Sequence, residues 1–300
     1  MKRELRKSAI AAYVKSAGIV TDLVQKSLLD TPEAKPVFKP IGSVGPGTTV
    51  MCPQNPVKPD GSVDVIVQIR GIAGGDTKSV SSMGANAVVI TAEAGGIGSK
   101  ENSVAFGNSG FVNSAVSNVL AQLKARFPDK NVHLGKLTIS SFSGGGSATA
   151  ALLINRTQLP KGTEPPKFVF IDGLHIDPKS KEMQSLVDYA NQVKNDPSAG
   201  QIEIVHTAVV PGGYASTTQV ADHILSQTGL QRQKVTDWKG SGPPPVSQAQ
   251  SGGLKVVQLY DQKDPYMAKD ESGKVRPNVP GTAGWQHIQA LQWGLQNAVS

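Results

Sequence analysis

From residue 63 onward the chain alternates short, apolar, β-branched runs with longer runs of helical spacing. The strand-like runs are VDVIVQIR (63–70), NAVVITAE (86–93), KLTISSF (136–142), KFVFID (167–172), QIEIVHTAVV (201–210) and LKVVQLY (254–260). Between them lie SGFVNSAVSNVLAQLKARF (109–127), SATAALLINR, KEMQSLVDYANQVKN (181–195) and STTQVADHILSQTG (216–229), and GWQHIQALQWGLQNAV (284–299) follows the last. In the first of these, Phe111, Ala115, Val119 and Leu123 recur on one helical face, and Pro128-Asp129 supplies a stop. Strands that are apolar on both sides must be covered on both faces. The rhythm therefore predicts an α/β fold with a mostly parallel sheet and helices on both faces. In such sheets ligands sit at the carboxyl ends of the strands, so polar residues just past those ends are the functional candidates.

The first 62 residues do not share the rhythm. Residues 31–62 are rich in Pro and Gly, which break helix and sheet, and read as an irregular lead-in. Residues 2–29 read as a helix. The division expected is thus 1–62 as N-terminal helix and lead-in, and 63–300 as the α/β domain. MKRELRK followed by SAIAAYV imitates a signal peptide, but Lys15 interrupts the apolar stretch and no clear cleavage site follows, which favours a cytoplasmic address. No apolar run approaches the roughly 20 residues of a membrane span.

Charge adds little. Residues 1–60 hold nine Lys/Arg and five Asp/Glu, so +4 of the net +7 lies in that fifth of the chain. No basic block is interleaved with aromatics, which argues against nucleic acid as a partner. The basic helix 2–29 leaves a surface or partner contact open. One cysteine, Cys52, excludes an internal disulfide and a cysteine-built zinc site.

The most informative joint is LTISSFSGGGSATAALL, where a strand runs into a Ser/Gly cluster and resumes as a helix former. Ser141-Phe142-Ser143-Gly144-Gly145 is a near match to the G-x-S-x-G nucleophile elbow, with Ser141 in place of the first Gly. Lifting a serine hydroxyl above the sheet needs a sharp, strained turn. The residues two before and two after are expected to press together, hence small. The helix beginning there would aim N–H groups and its positive end at developing negative charge, with Gly144 N–H as one oxyanion donor. A phosphate cradle uses a similar joint, but no Lys follows as in G-x-x-x-x-G-K-[ST]. A plain Gly-rich turn also stays open.

A serine nucleophile needs a second oxyanion donor, a general base and an orienting carboxylate. VDVIVQIR runs into GIAGGD (71–76), which points to the Ile72 N–H as that donor. Of five histidines, His133 precedes the serine, His223 sits mid-helix, and His206 lies inside a strand where a hydrogen-bonded core role is favoured. His175 and His287 remain, and His287, after the last strand, takes the place of the base. Asp172, ending the apolar strand KFVFID, is the first choice for the acid; Asp261 and Asp264 in LYDQKDPY compete, because they too follow a strand end.

With these residues in view, the chain resembles an α/β-hydrolase, and in particular a poorly characterised group of bacterial hydrolases with an S-F-S-x-G elbow, a strand ending D-G-L-H and a P-x-x-Y-A-S-T segment leading to A-D. Here these are Ser141 to Gly145, Asp172-Gly173-Leu174-His175, and Pro211-Gly212-Gly213-Tyr214-Ala215-Ser216-Thr217 running to Ala221-Asp222. The resemblance spans about residues 63 to 299. It implies a serine-hydrolase fold with Ser143 as nucleophile and with His175 and Tyr214 bordering the substrate pocket. Glycine replaces the group's alanine at 144, and Arg70-Gly71-Ile72 stands where His-Gly-x is usual.

The expectation is a serine hydrolase that uses no cofactor or metal and cleaves a small carboxylic ester through Ser143, His287 and Asp172. Two alternatives stand beside it: a ligand-binding protein that keeps the scaffold without turnover, and a docking role led by residues 2–29.

Overall fold

The computed structural model describes residues 39–45, 47–70, 86–93, 99–208, 214–260 and 283–299. The helix expected over 2–29, the glycine-rich stretch 71–76 with Ile72, Asp261 and Asp264 lie outside these residues.

Ten strands form one sheet: β1 (Lys39–Gly42), β2 (Thr48–Cys52), β3 (Ser62–Arg70), β4 (Val88–Ala92), β5 (His133–Phe142), β6 (Lys167–Ile171), β7 (Gln201–His206), β8 (Gln233–Lys234), β9 (Ser247–Ser251) and β10 (Leu254–Gln258). Their spatial order is β1-β2-β4-β3-β5-β6-β7-β10-β9-β8. The six central strands from β4 to β10 run parallel, and antiparallel strands close both sides. Six helices are described: α1 (Ser99–Phe106), α2 (Ser109–Arg126), α3 (Gly146–Ile154), α4 (Lys181–Asn195), α5 (Thr217–Thr228) and α6 (Ala283–Asn297). The architecture is α/β, a mostly parallel sheet with helices on both faces.

Strand pleating divides the core into two layers. Val63, Val65, Val67 and Ile69 of β3 join Phe168 and Phe170 of β6 beneath residues of α1 to α5. Ile66 of β3, Phe142 of β5, and Val169 and Ile171 of β6 face the other way, toward Ala290, Trp293 and Leu295 of α6. Helix ends follow their sequence signals. Asn108 Oδ1 accepts from Phe111 N–H at 2.8 Å to start α2. Ser216 and Gln219 form a capping box on α5, which ends at Gly229 in the left-handed region.

Two segments differ from expectation. Residues 31–62 contribute β1 and β2, which pair with each other and with β4. Part of their Pro/Gly/Ser content serves the connection between them, where the Thr48 hydroxyl donates to the Gly45 carbonyl at 2.6 Å. The run Thr48–Cys52 is mostly buried, and its short length hid it as a strand. Likewise the spacer 240–253 contains β9, whose sequence SQAQS places only Ala249 in the core. It reverses into β10 at Gly252, with φ 54°. A polar strand beside the sheet edge has no hydrophobic alternation to betray it.

Candidate active site

Strand β5 is extended to its end, with Phe142 at φ −127° and ψ 140°. Ser143 then turns to φ 52°, a 3₁₀ turn carries Ser143 to Gly145, and α3 begins at Gly146. One strand over, Asp172 follows β6 at φ 41°. Among the described residues these are the only two non-glycine positions with positive φ. Such a conformation costs on the order of 1–3 kcal/mol and persists only where the surroundings enforce it.

Close backbone packing enforces it here. A Cβ on Gly173 would lie 2.3 Å from the Ser143 carbonyl oxygen, and one on Gly146 would lie 1.8 Å from the Gly173 carbonyl. The turn after Asp172 is therefore locked onto the turn at Ser143. Ser141 and Gly145 are the small residues expected from the sequence to press together. The atoms nearest to a Cβ on Gly145 belong instead to Ile69, whose carbonyl oxygen would be 2.4 Å away. Glycine at 145 is needed by the neighbouring strand β3. Ser141 is fully buried on the opposite side of the pleat from Phe142.

His287, near the start of α6, reaches the Asp172 carboxylate. Its Nδ1–H donates to Asp172 Oδ2 at 2.7 Å, and both residues are buried. A carboxylate only accepts, so the proton of the neutral ring is on Nδ1 and the lone pair on Nε2. The imidazole stacks on Phe142, with ring centroids 4.5 Å apart. Because Phe142 immediately precedes Ser143, this contact sets the imidazole beside the turn at Ser143.

Asp172 is held by more than the histidine. Thr207, just past β7, donates its N–H to Oδ1 at 3.1 Å and its hydroxyl to Oδ2 at 2.7 Å. Burial by itself would push the Asp172 carboxyl up. The bond and charge of His287 and the two Thr207 donors outweigh burial and hold the carboxyl below the usual range.

His175 and Tyr214 meet edge to face, with centroids 4.9 Å apart. His175 Nδ1–H donates to the Ala215 carbonyl at 3.0 Å. Burial pushes its imidazole below the ordinary value, against the Ala215 bond and the Asp172 charge. Tyr214 is 59% exposed, one of the two large hydrophobic side chains open to solvent among the described residues.

The structure thus brings Ser143, Asp172 and His287 to one end of adjacent strands, with Gly144 buried in the turn after Ser143. The other histidines lie elsewhere: His133 bonds the Asn131 carbonyl at the opposite end of β5, and His206 is buried with Thr218 as a partner. Sequence reasoning missed Thr207 and the role of the Phe142 ring. Thr207 had a signal, because it is a polar residue just past the end of a strand beside β6. Among the described residues no group of three or more His, Cys, Asp or Glu is arranged to hold a metal ion. No described helix is long and apolar enough to cross a membrane.

No protein family's profile matches the sequence. No curated protein matches it. Among solved structures, it is similar to an esterase B from Lactobacillus rhamnosis, with 9% identity over 96% of both chains and a TM-score of 0.40. It is also similar to a thermostable esterase, with 13% identity over 84% of this chain and 60% of the other and a TM-score of 0.41. At these values the reading of the site rests on its own geometry.

Proposed function

We propose that the chain is a serine hydrolase that cleaves a carboxylic ester. The observation that carries this reading is the pairing of two strained residues, Ser143 and Asp172, at the ends of adjacent strands, with His287 bonded to the second and stacked beside the first. A strained serine at a strand-to-helix turn and a buried Asp–His pair are the parts that nucleophilic acyl transfer needs.

In the proposed reaction, His287 Nε2 takes the Ser143 hydroxyl proton as Oγ attacks the ester carbonyl. The tetrahedral intermediate places its oxyanion toward the Gly144 N–H, with the Ile72 N–H expected from the sequence as a second donor. Each such donor is worth roughly 10²–10³ in turnover. The imidazolium returns its proton to the leaving alcohol, and the C–O bond breaks to give the acyl-enzyme. Water, deprotonated by the same nitrogen, then releases the acid and restores Ser143. Asp172 keeps the Nδ1–H tautomer and stabilises the imidazolium without taking a proton. His175 and Tyr214 border the pocket in this reading.

The test is fluorophosphonate labelling alongside p-nitrophenyl acetate hydrolysis. The parent should label and hydrolyse, and Ser143→Ala should do neither. A parent that neither labels nor hydrolyses would favour ligand binding on the same scaffold. Equal labelling of parent and variant would reject Ser143 as nucleophile.

A further inference from the structure

Behind Asp172 a run of hydrogen bonds continues to the surface. Arg232 pairs with the Asp222 carboxylate, and another of its guanidinium nitrogens lies 3.2 Å from His206 Nε2. A guanidinium can only donate, so Nε2 must accept. Burial, followed by the Arg232 charge, pushes His206 down to about 4, so the ring is neutral near pH 7. Its single proton is therefore on Nδ1, which faces the Thr218 hydroxyl at 3.1 Å and the Thr207 carbonyl at 3.2 Å. The Thr218 hydroxyl in turn donates to the Thr207 carbonyl at 2.6 Å. The peptide on the other side of Thr207 is fixed as well, since Leu259 N–H donates to the His206 carbonyl at 2.9 Å. From the Arg232 nitrogen that faces His206, through His206 and Thr218 to Thr207, each donor points inward, and the two from Thr207 end on the Asp172 carboxylate.

We infer that Thr218 and Arg232 are positioning residues for Asp172, acting through His206 and Thr207 as a one-way donor chain anchored at the Arg232–Asp222 ion pair. The link through Thr207 is geometric. Its carbonyl is gripped from the α5 side, which sets the direction of its N–H and hydroxyl and so the attitude of the carboxylate that orients His287. This rests on the serine-hydrolase reading of the site only where turnover is the readout. The chain uses residues from four places, the end of β7, the first turn of α5, the surface beyond α5 and the end of β6, and none of the outer ones touches a reacting atom.

The experiment compares Thr218→Val with Thr218→Ser, which differ in the hydroxyl at a half-buried helix position. Two quantities are read: kcat and KM for p-nitrophenyl acetate, and the low-field proton resonance of His287 Nδ1–H, assigned by its loss in His287→Gln. Thr218→Val should lower kcat roughly tenfold, the effect of one hydrogen bond, with KM unchanged. It should also move the resonance. Thr218→Ser should match the parent in both, and Arg232→Met should follow the valine variant. Unchanged kcat and an unmoved resonance in Thr218→Val would overturn the inference. If the parent proves inactive toward esters, the resonance alone decides: a shift in the valine variant and none in the serine variant upholds the chain, and no shift overturns it.

Discussion

The imidazole of His287 lies on the phenyl ring of Phe142 with 4.5 Å between centroids and 30° between planes. The residue that ends β5 thus supports the histidine bonded to Asp172, and the two contacts hold the ring from its face and from its edge.

Phe142→Leu keeps an apolar side chain but removes the flat surface under the ring. The expected outcome is a fall in kcat of ~10- to ~100-fold with little change in KM, the scale of a small misplacement of a catalytic group. Stability should fall by about 1–2 kcal/mol from lost ring volume. Steady-state kinetics and urea unfolding check the pair; a variant with parental kcat would show that the Asp172 bond suffices to hold His287.

Asp172→Asn should act through the tautomer. An Asn side chain can offer an N–H to His287 Nδ1, which moves the ring proton to Nε2 and removes the lone pair the base needs. The expected loss in kcat is about 10⁴, with substrate binding spared. Burst kinetics would separate slow acylation from slow release, and acylation is the step expected to suffer.

Gly146→Ala tests the lock between the two strained turns. The added Cβ would lie 1.8 Å from the Gly173 carbonyl, which is backbone and cannot swing aside. The expected cost is ~1–3 kcal/mol in stability, together with loss of fluorophosphonate labelling as the turn at Ser143 is displaced. Labelling at the parental rate in a folded variant would mean the two turns can move independently.

His206 gives the protein an acid-side sensitivity. Its folded value is depressed to about 4 from an ordinary 6.5, so between those values the unfolded chain binds more protons than the folded one. Stability from this group is therefore full above about pH 6.5 and declines as pH falls to about 4, by on the order of 3 kcal/mol. Urea unfolding across pH 4 to 7 should show this decline in the parent, and His206→Gln should flatten it by about that amount.

Much of the architecture is legible from the chain because each central strand is buried on both sides. The apolar runs that became β3 to β7 and β10 are long enough to announce themselves, and the helices between them carry regular spacing. The strands that escaped notice are those whose burial is one-sided or brief. Thr48–Cys52 sits among prolines and glycines, and SQAQS buries a single alanine. At the site, the Ser/Gly joint and the aspartate closing an apolar strand could be picked out, since a polar residue there has no packing purpose. Three things came only with the tertiary structure. Asp172 lies against His287, a contact across 115 positions, while Asp261 and Asp264 lie outside the described residues. Thr207 approaches Asp172 because β6 and β7 are neighbours, though 35 positions separate the two residues. Gly145 is required by Ile69 of β3 rather than by Ser141. Local sequence determines what a segment becomes, since periodicity and turn chemistry act over a few residues. Which side chains then share a hydrogen bond depends on strand order and on backbones in van der Waals contact, and these are properties of the assembled sheet alone.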